Sequence, residues 1–386
     1  MPQQIATTNN QSGSHAGVGL LLTGGGARAA YQAGVLAGVT ELLDDQVFPY
    51  RFISGTSAGS INAAYLASRA TQWPQAAGDL CDIWAAIRAE RVFTTEMLDW
   101  YLRGARWISW LALPRLISRQ PEAILDNSPL IDTLRELIDT DAIDQNLAAG
   151  LFDAIGIGAS SYTSGRHVTF YQARADIDDW QSADRVAVRQ HLTIQHPLMP
   201  LVEAGARRIL AVSVAPEERA SMFAARIDNG NRQPTLAQVA GHALASVFYD
   251  ALPAEIDQIN RINAALKLLQ QELPESFPFR PVEVVAISPS EPIESIAMRH
   301  VKTLPRRVRS FLKTFGGTES SGMALASYLL FEPTFTSELI DLGKHDAHQQ
   351  ADRIRALFSP QEPEMDADAL DSVRKTLRDF FERFKS

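Results

Sequence analysis

Two glycine-rich turns, each placed between an apolar run and a helical stretch, constrain the fold of this chain most. The apolar run at residues 18–23 ends at Gly24-Gly25-Gly26, and residues 52–54 lead into Gly55-Thr56-Ser57-Ala58-Gly59. The sequence after each turn is alanine-rich or has apolar residues at helical spacing. A strand, a glycine turn and a helix that occur twice in close succession are typical of a parallel α/β sheet.

The rest of the chain continues this α/β pattern as far as a proline-bounded stretch at residues 289–292, beyond which it is helical. We therefore expect a disordered lead-in at residues 1–16, an α/β domain at residues 17–290 and a helical C-terminal region at residues 291–386. Helices are predicted at residues 27–43, 60–69 and 235–271, and further strands at residues 154–159, 168–171, 209–214 and 282–287.

The composition suits a globular protein and excludes several classes of function. The 386 residues are 46% hydrophobic with a formal net charge of -9, which argues against wholesale binding to nucleic acid. The single cysteine, Cys81, excludes an internal disulfide and fits a reducing compartment. We find no signal-peptide core, no run apolar enough to span a bilayer and no cluster with metal-ligand spacing. We therefore expect a cytoplasmic protein without a cofactor.

Ser57 lies at the centre of the second turn, where the pattern G-x-S-x-G stands between a predicted strand and a predicted helix. A sharp strand-to-helix turn projects a serine hydroxyl from the backbone, and it requires glycine or very small residues at the flanking positions. Gly55 and Gly59 meet that requirement, and the following helix directs its N-terminal dipole at Ser57. We therefore predict that Ser57 is a nucleophile; the alternative is a plain turn in which Ser57 is the helix N-cap.

The first turn, Gly24-Gly25-Gly26-Ala27-Arg28-Ala29, fits more than one kind of anion site. It matches the G-x-G-x-x-A pattern of a dinucleotide-binding turn, but the second strand ends without the acidic residue that would hold a ribose. A phosphate-binding P-loop would need a Gly-Lys-Ser/Thr ending, which is absent. The other interpretation is an oxyanion hole beside Ser57, built by the backbone amides of Gly24, Gly25, Gly26 and Ala27.

Together the two turns resemble those of the patatin-like phospholipase family, in which a turn close to G-G-G-x-[R/K]-G precedes a G-x-S-x-G turn by one helix and one strand. The continuation Ser60-Ile61-Asn62-Ala63-Ala64 is similar as well, and weaker similarity extends over most of the chain. The resemblance implies an α/β fold of three layers, α/β/α, with a mostly parallel central sheet and an added helical C-terminal region. It also implies a lipid acyl hydrolase that uses a Ser-Asp dyad without histidine and forms an acyl-serine intermediate.

The aspartate of that dyad has no counterpart in this chain. The family places it in an Asp-Gly-Gly or Asp-Gly-Ala turn, and this sequence contains no Asp-Gly dipeptide. By comparison with the family, a hairpin-sized segment is missing between His191 and Pro197. Either this chain omits a segment, or it is a natural variant that lacks its general base. Asp184 and Asp228 are candidate substitutes, but each is more typical of a solvated loop carboxylate, so we assign no second catalytic residue.

A late histidine would instead complete a triad in the α/β-hydrolase order of Ser, then Asp, then His. His300, His345 and His348 are late enough, but His300 lies in a basic run and the other two lie on a polar helix face. His196 and His242 flank the region of interest, where a core or surface histidine is the simpler interpretation. We therefore prefer the dyad.

From these features we expect a serine acyl hydrolase that cleaves ester bonds of phospholipids or other lipids. Two alternatives stay open. One is a catalytically impaired lipid-binding or scaffold protein, which the missing Asp-Gly turn favours, and the other is a general carboxylesterase or thioesterase. Arg28, next to the predicted oxyanion hole, orients the loop, attracts a lipid phosphate or makes a structural ion pair.

Two features predict peripheral contact with a membrane, each with a plainer alternative. Trp100, Trp107, Trp110 and Leu111 fall near one helical face with arginines between them, as in an interfacial lid or an ordinary core helix. Residues 299–313 are basic with interleaved apolar side chains, as in a surface for anionic headgroups or a solvated face. The expected partners are a lipid or ester substrate and a membrane surface. No nucleic acid is expected, and the sequence sets no oligomeric state.

Overall fold

A seven-stranded sheet forms the centre of the protein in the computed structural model. The structure describes residues 17–43, 47–93, 128–160, 167–175, 177, 186–189, 208–215, 251–269, 281–314, 317 and 322–359. The sheet has the spatial order β5-β4-β3-β2-β1-β6-β7. Its strands are β1 (Val18–Leu22), β2 (Phe52–Thr56), β3 (Ala154–Ser160), β4 (His167–Ala173), β5 (Val186–Arg189), β6 (Arg208–Val212) and β7 (Glu283–Ile287).

Most neighbouring strands of this sheet run parallel. Parallel pairs join β1 to β2 and β6, β2 to β3, β6 to β7 and β4 to β5, whereas β3 and β4 pair antiparallel. Each predicted strand falls on an observed one, so the mostly parallel α/β sheet is confirmed. The strand β5 was not predicted, because four residues at the end of the described sheet form too short a pattern to recognise.

Eleven α-helices lie in the described part of the chain. The two helices predicted after the glycine turns are both present, and the first is preceded by a short 3₁₀ helix at Gly26–Ala29. The α-helices are α1 (Ala30–Leu43), α2 (Ala58–Ser68), α3 (Trp73–Ala86), α4 (Ser128–Leu137), α5 (Thr140–Ala148), α6 (Ala251–Leu269), α7 (Ile293–His300), α8 (Arg306–Thr314), α9 (Met323–Leu329), α10 (Pro333–Gln349) and α11 (Ala351–Phe358).

Helices cover both faces of the sheet, which confirms the three-layer arrangement. Along β1, Leu20 and Leu22 join the core that α1, α2 and α3 cover, whereas Leu21 joins the core on the opposite face with Leu252 and Ile259 of α6. Burial on both faces explains why β1 is a continuous apolar run rather than an alternating one.

The C-terminal helices pack directly on the first helix of the chain. A Cβ atom at Gly34 of α1 would lie 2.0 Å from the carbonyl oxygen of Ile340, and one at Gly343 of α10 would lie 2.2 Å from that of Tyr31. These glycines let the two backbones touch, and one buried apolar cluster continues from β1 to Phe358 in α11. The predicted C-terminal helices are therefore confirmed as far as residue 359, and residues 360–386 lie outside the described residues. The boundary at residue 290 stays a prediction, and the lead-in at residues 1–16 lies outside the described residues.

Buried residues of the first three helices include Cys81, the single cysteine of the chain. Its thiol lies in α3 and donates to the carbonyl oxygen of Ala33 at 3.4 Å. Burial raises the pKa of this thiol to about 11, so the thiolate is suppressed at neutral pH. None of the described helices is long and apolar enough to cross a bilayer.

The spatial order of the strands reverses next to β1. The chain moves from β1 to β2 and β3 on one side, and later to β6 and β7 on the other. In open parallel sheets, ligands bind outside the carboxyl ends of the strands at such a point. Leu22 ends β1 and pairs with Gly55 of β2, so both glycine turns lie side by side at this edge of the sheet.

Candidate active site

Ser57 occupies a sharp turn between β2 and α2. Its backbone has φ 50° and ψ -122°, and it is the one non-glycine residue with a positive φ among the described residues. Such a conformation costs roughly 1–3 kcal/mol and persists only where the surrounding structure imposes it. Ser57 stands at the N-cap position of α2, but its hydroxyl makes no capping hydrogen bond. The N-cap alternative therefore lacks the bond that would define it.

The two glycines that flank Ser57 are required by close backbone contacts. A Cβ atom at Gly55 would lie 2.5 Å from the carbonyl oxygen of Gly59 and 2.6 Å from the Cα of Ser60. A Cβ atom at Gly59 would lie 2.4 Å from the carbonyl oxygen of Leu22 and 2.5 Å from that of Thr23. The first turn of α2 is thus pressed against the carboxyl end of β1, directly before the glycine turn.

The glycine turn is enclosed from two sides. A Cβ atom at Gly25 would lie 2.6 Å from Cγ2 of Val214, and one at Gly26, whose φ is 55°, would lie 2.4 Å from the carbonyl oxygen of Tyr328. The amide of Arg28 donates to the carbonyl oxygen of Gly25 at 3.1 Å, which closes the turn. In the described part of the chain, no backbone carbonyl accepts a hydrogen bond from the amides of Gly25 or Gly26. Among the described backbone contacts, these two amides are thus left without an acceptor, as the predicted oxyanion site requires.

Arg28 is buried and joins the glycine turn to the C-terminal helices. Its Nε donates to Oγ of Ser327 at 2.8 Å, and one terminal nitrogen lies 2.9 Å from Oε1 of Glu294 and 3.1 Å from the carbonyl oxygen of Ala324. The guanidinium also stacks over the ring of Tyr328, 4.5 Å from its centroid. Of the three roles that the sequence leaves open, these contacts favour the structural ion pair, because the side chain is 0% exposed.

A buried network of amide side chains connects α3, α2 and α1 to the glycine turn. Trp84 Nε1 donates to Asn62 Oδ1 at 2.8 Å. Asn62 Nδ2 donates to Gln32 Oε1 at 3.0 Å and to the carbonyl oxygen of Ala29 at 3.1 Å. Gln32, Asn62 and Trp84 were not predicted as site residues from the sequence. Their one signal was a polar side chain at positions 32 and 62 within otherwise apolar or alanine-rich helices.

Gln32 carries this network to the start of the turn. Its Nε2 donates to the carbonyl oxygen of Thr23 at 2.8 Å and to that of Val212 at 3.3 Å. The backbone amide of Thr23 also donates to Val212, so β1 and β6 stay paired up to the first residue before the glycines.

The late histidines lie away from Ser57, in or beside ion pairs of the helical region. His300 Nε2 contacts Glu338, and His348 Nε2 lies 2.8 Å from Oε2 of Glu41, whereas His345 is exposed on α10. No contact joins any of the three to Ser57 among the described residues. The other candidates for a base or triad partner, namely Asp184, Asp228, His196 and His242, lie outside the described residues, as does the segment between His191 and Pro197.

The basic stretch at residues 299–313 has one buried and one exposed side. Val308 and Leu312 of α8 are buried, whereas Lys302, Arg306 and Lys313 are exposed. We call these three exposed residues the basic face. At the start of the stretch, Arg299 pairs with Glu291 and Glu338, so its charge is neutralised locally. The predicted tryptophan face at residues 100–111 lies outside the described residues.

Comparison with known protein families identifies a match over more than half of the chain. A family model described as patatin-like phospholipase matches residues 20–247, a range that includes both glycine turns. No curated protein matches the chain.

Two solved structures show limited similarity. One chain of a crystal structure of full-length SpcU in complex with full-length ExoU, from the type III secretion system of Pseudomonas aeruginosa, is 18% identical. That match covers 39% of this chain and only 34% of that chain, with a TM-score of 0.21. A crystal structure of the type III effector protein ExoU is 14% identical over 92% of each chain, with a TM-score of 0.24.

Proposed function

The chain belongs to the patatin-like phospholipase family, and from this premise we propose that it is a serine acyl hydrolase that cleaves ester bonds of phospholipids or other lipids. The observation that carries the proposal is the backbone of Ser57, with its φ of 50° between two glycines that admit no side chain. Gly59 packs this turn against Leu22 and Thr23, so the hydroxyl and the glycine-turn amides occupy neighbouring strand ends.

In the proposed reaction, Ser57 Oγ attacks the ester carbonyl carbon while a base removes the hydroxyl proton. The amides of residues 24–27 bind the oxyanion that forms, and each such donor is worth about 3 kcal/mol in known acyl transfer sites. The tetrahedral intermediate then releases the alcohol, which takes the proton, and leaves an acyl-serine. Water attacks the acyl-serine, releases the fatty acid and restores the hydroxyl. The N-terminus of α2 favours the negative charge that develops next to Ser57.

The base in this scheme is a carboxylate, as the resemblance implies, and no residue is assigned to it. The absence of an Asp-Gly dipeptide favours one rival function, a lipid-binding or scaffold protein that keeps the fold without turnover. A general carboxylesterase or thioesterase would use the same site and mechanism on a different acyl substrate. Arg28, buried in its ion pair with Glu294, is proposed to hold the glycine turn rather than to bind a lipid phosphate.

Hydrolysis of short p-nitrophenyl acyl esters tests the assignment of Ser57. We expect Ser57→Ala to lower the rate by about 10³-fold or more, as removal of a serine nucleophile does in other hydrolases. Ser60→Ala is the matched control, because the Ser60 hydroxyl is buried three residues away and has no hydrogen-bond partner among the described residues. Equal activity of wild type and Ser57→Ala would show that the assignment is wrong.

We also propose that the protein is cytoplasmic and contacts anionic membranes peripherally through the basic face. In the basic face, Arg306 and Lys313 lie on α8 and Lys302 lies in the turn before it. The helix α8 lies between α7 and α9 in the chain, and both of those helices contact Arg28 of the glycine turn. A membrane bound there would lie on the helical unit that encloses the proposed site. The chain as a whole carries a charge of -9, so attraction to anionic lipid has to come from a local surface such as this one.

Flotation with vesicles tests this contact. We expect wild-type protein to float with anionic but not with zwitterionic vesicles, and salt to weaken the binding. The double variant Arg306→Glu/Lys313→Glu should bind at least about 30-fold less, since it removes two basic residues that each contribute on the order of 1 kcal/mol near the surface. The control Arg353→Glu/Arg355→Glu changes the net charge of the protein by the same amount, but on α11, where both residues are exposed. Equal flotation of the two variants, or none by wild type at any salt, would contradict the proposal.

A further inference from the structure

The amide network of Trp84, Asn62 and Gln32 has only one consistent arrangement of donors and acceptors. An indole nitrogen can only donate, so the atom of Asn62 that faces Trp84 must be the oxygen. Asn62 Nδ2 then points to Gln32 and must donate to its Oε1. This leaves Gln32 Nε2 as the donor to the carbonyl oxygens of Thr23 and Val212. Every bond in the chain from Trp84 to Thr23 therefore has a defined direction.

The network contacts the glycine turn at both of its ends. Gln32 binds the carbonyl oxygen of Thr23, the residue directly before Gly24, and Asn62 binds that of Ala29, which ends the 3₁₀ helix of the turn. Asn62 itself lies in α2, the helix that begins directly after Ser57. One buried side chain thus connects the helix of the nucleophile to the segment that carries the oxyanion donors. Asn62 and Gln32 are both 0% exposed, so water does not reach these bonds.

We propose that Asn62 is a positioning residue, which sets the distance between the Ser57 hydroxyl and the amides of residues 24–27. The role rests on the proposed function of the site, since a distance between nucleophile and oxyanion donors matters only for acyl transfer. Displacement of a reacting group by about 1 Å can lower an enzymatic rate on the order of 10²-fold. A change at Asn62 should therefore affect the chemical step more than substrate binding, because Asn62 does not reach the surface.

The chain offers a matched control for this residue. Asn146 of α5 is also buried, at 7% exposure, and its Nδ2 also donates two hydrogen bonds, here to the backbone carbonyl oxygens of Ala67 and Ser68 at the far end of α2. Asn62→Asp and Asn146→Asp each replace an amide donor by an acceptor of the same shape. Both should lower stability, but only Asn62→Asp alters the contact with the glycine turn.

The test measures the rate of Ser57 phosphonylation by a fluorophosphonate, the kcat and KM for p-nitrophenyl esters, and the unfolding midpoint in urea. We expect Asn62→Asp to lower the phosphonylation rate and kcat by about 10- to 100-fold with little change in KM, and Asn146→Asp to stay within about threefold of wild type. Equal losses in the two variants, or no loss in Asn62→Asp, would overturn the positioning role.

A second pair covers the case in which the aspartate variants fail to fold. Trp84→Phe removes the indole donor of the network, whereas Trp73→Phe removes another buried indole, whose nitrogen has no hydrogen-bond partner among the described residues. We expect Trp84→Phe to lower the phosphonylation rate several-fold more than Trp73→Phe. Equal rates in the two phenylalanine variants would overturn the inference.

Hydrogen exchange separates the failure of this inference from the failure of the proposed function. If wild-type protein is not phosphonylated, the function proposed for Ser57 fails, and exchange of the amides of Arg28 and Ala30, which are hydrogen-bonded within the turn, becomes the deciding readout. We expect Asn62→Asp to accelerate the exchange of these two amides at least tenfold over Asn146→Asp. Equal exchange in the two variants would show that Asn62 does not hold the turn.

Discussion

Ser57 holds a backbone conformation that an L-residue adopts only under constraint, and the constraint is visible in its neighbours. Gly55 lets the first turn of α2 pack against the end of β2, and Gly59 lets it pack against the end of β1, so closely that no Cβ fits at either position. The G-x-S-x-G pattern predicted this turn because the spacing of the glycines is a local property of the sequence. The contacts of Asn62 with Gln32 and Trp84 span 30 and 22 residues, and no local pattern predicts which polar side chains meet across such a separation.

The substitution Gly59→Ala tests the close approach at this turn. We expect it to lower the free energy of unfolding by about 1–3 kcal/mol, because the added Cβ would lie 2.4 Å from the carbonyl oxygen of Leu22. Gly78→Ala in α3 is the control, since nothing lies within 4 Å of its added Cβ, and it should raise that free energy by roughly 0.5–1 kcal/mol. Urea unfolding measures both. A Gly59→Ala protein as stable as wild type would contradict the geometry.

At the scale of elements, α7 and α9 enclose the glycine turn through Arg28. The first helix and both glycine turns were predictable, because hydrophobic periodicity and glycine spacing are local. The packing of α7 and α9 on the turn was not, because the Arg28 contacts to Ser327 and Glu294 join residues separated by 299 and 266 positions. The three roles that the sequence allowed for Arg28 could be separated only by its burial.

Arg28→Lys tests how firmly these elements are joined. A lysine has a single ammonium group, which cannot bind Ser327, Glu294 and Ala324 together and stack over a ring as the planar guanidinium does. We expect the free energy of unfolding to fall by roughly 1–3 kcal/mol, since a buried group loses hydrogen bonds. Arg353→Lys on α11 is the control, because that arginine is exposed and bonds only to Gln350 among the described contacts. Equal stability of the two variants in urea would show that Arg28 contributes little to the packing of α7 and α9 on the glycine turn.

Over the whole molecule, the C-terminal helices and the α/β sheet share one apolar core, with ion pairs at its surface. Glu41 of α1 pairs with Lys344 and His348 of α10, and Glu338 of α10 pairs with Arg299 and His300 of α7. The sequence predicted the sheet type and every strand of the described sheet except β5, since both follow from the alternation of strands and helices. It did not predict that α10 would lie against α1, because glycines at positions 34 and 343 carry no signal of their pairing.

These carboxylates make stability depend on acid pH. The hydrogen bond from His348 lowers the pKa of Glu41. Burial raises the pKa of Glu338, but its hydrogen bonds with His300 and Arg299 lower that pKa by more, so the net shift is downward. A lowered pKa means that the unfolded chain binds more protons, so the stabilisation is present above the ordinary pKa of 4.5 and is lost as the pH falls below it.

The solvent exposure of the two carboxylates limits the size of this effect on stability. The effect should be small, because the side chains of Glu41 and Glu338 are 49% and 38% exposed and solvent screens them. We expect the urea midpoint of Glu41→Gln/Glu338→Gln to fall less steeply than that of wild type between about pH 5 and pH 3. Parallel declines would show that these pairs do not contribute.

The most direct measurement for the proposed hydrolase is covalent labelling of the folded protein with a fluorophosphonate, followed by mass spectrometry of its peptides. The reagent loses fluoride and forms a phosphorus–oxygen bond only with an activated serine, so it distinguishes a working site from a fold that has lost its chemistry. We predict one adduct, on Ser57, in wild type and in Ser60→Ala, and none in Ser57→Ala. A folded wild-type protein that carries no adduct on Ser57 would contradict the assignment and favour the lipid-binding scaffold.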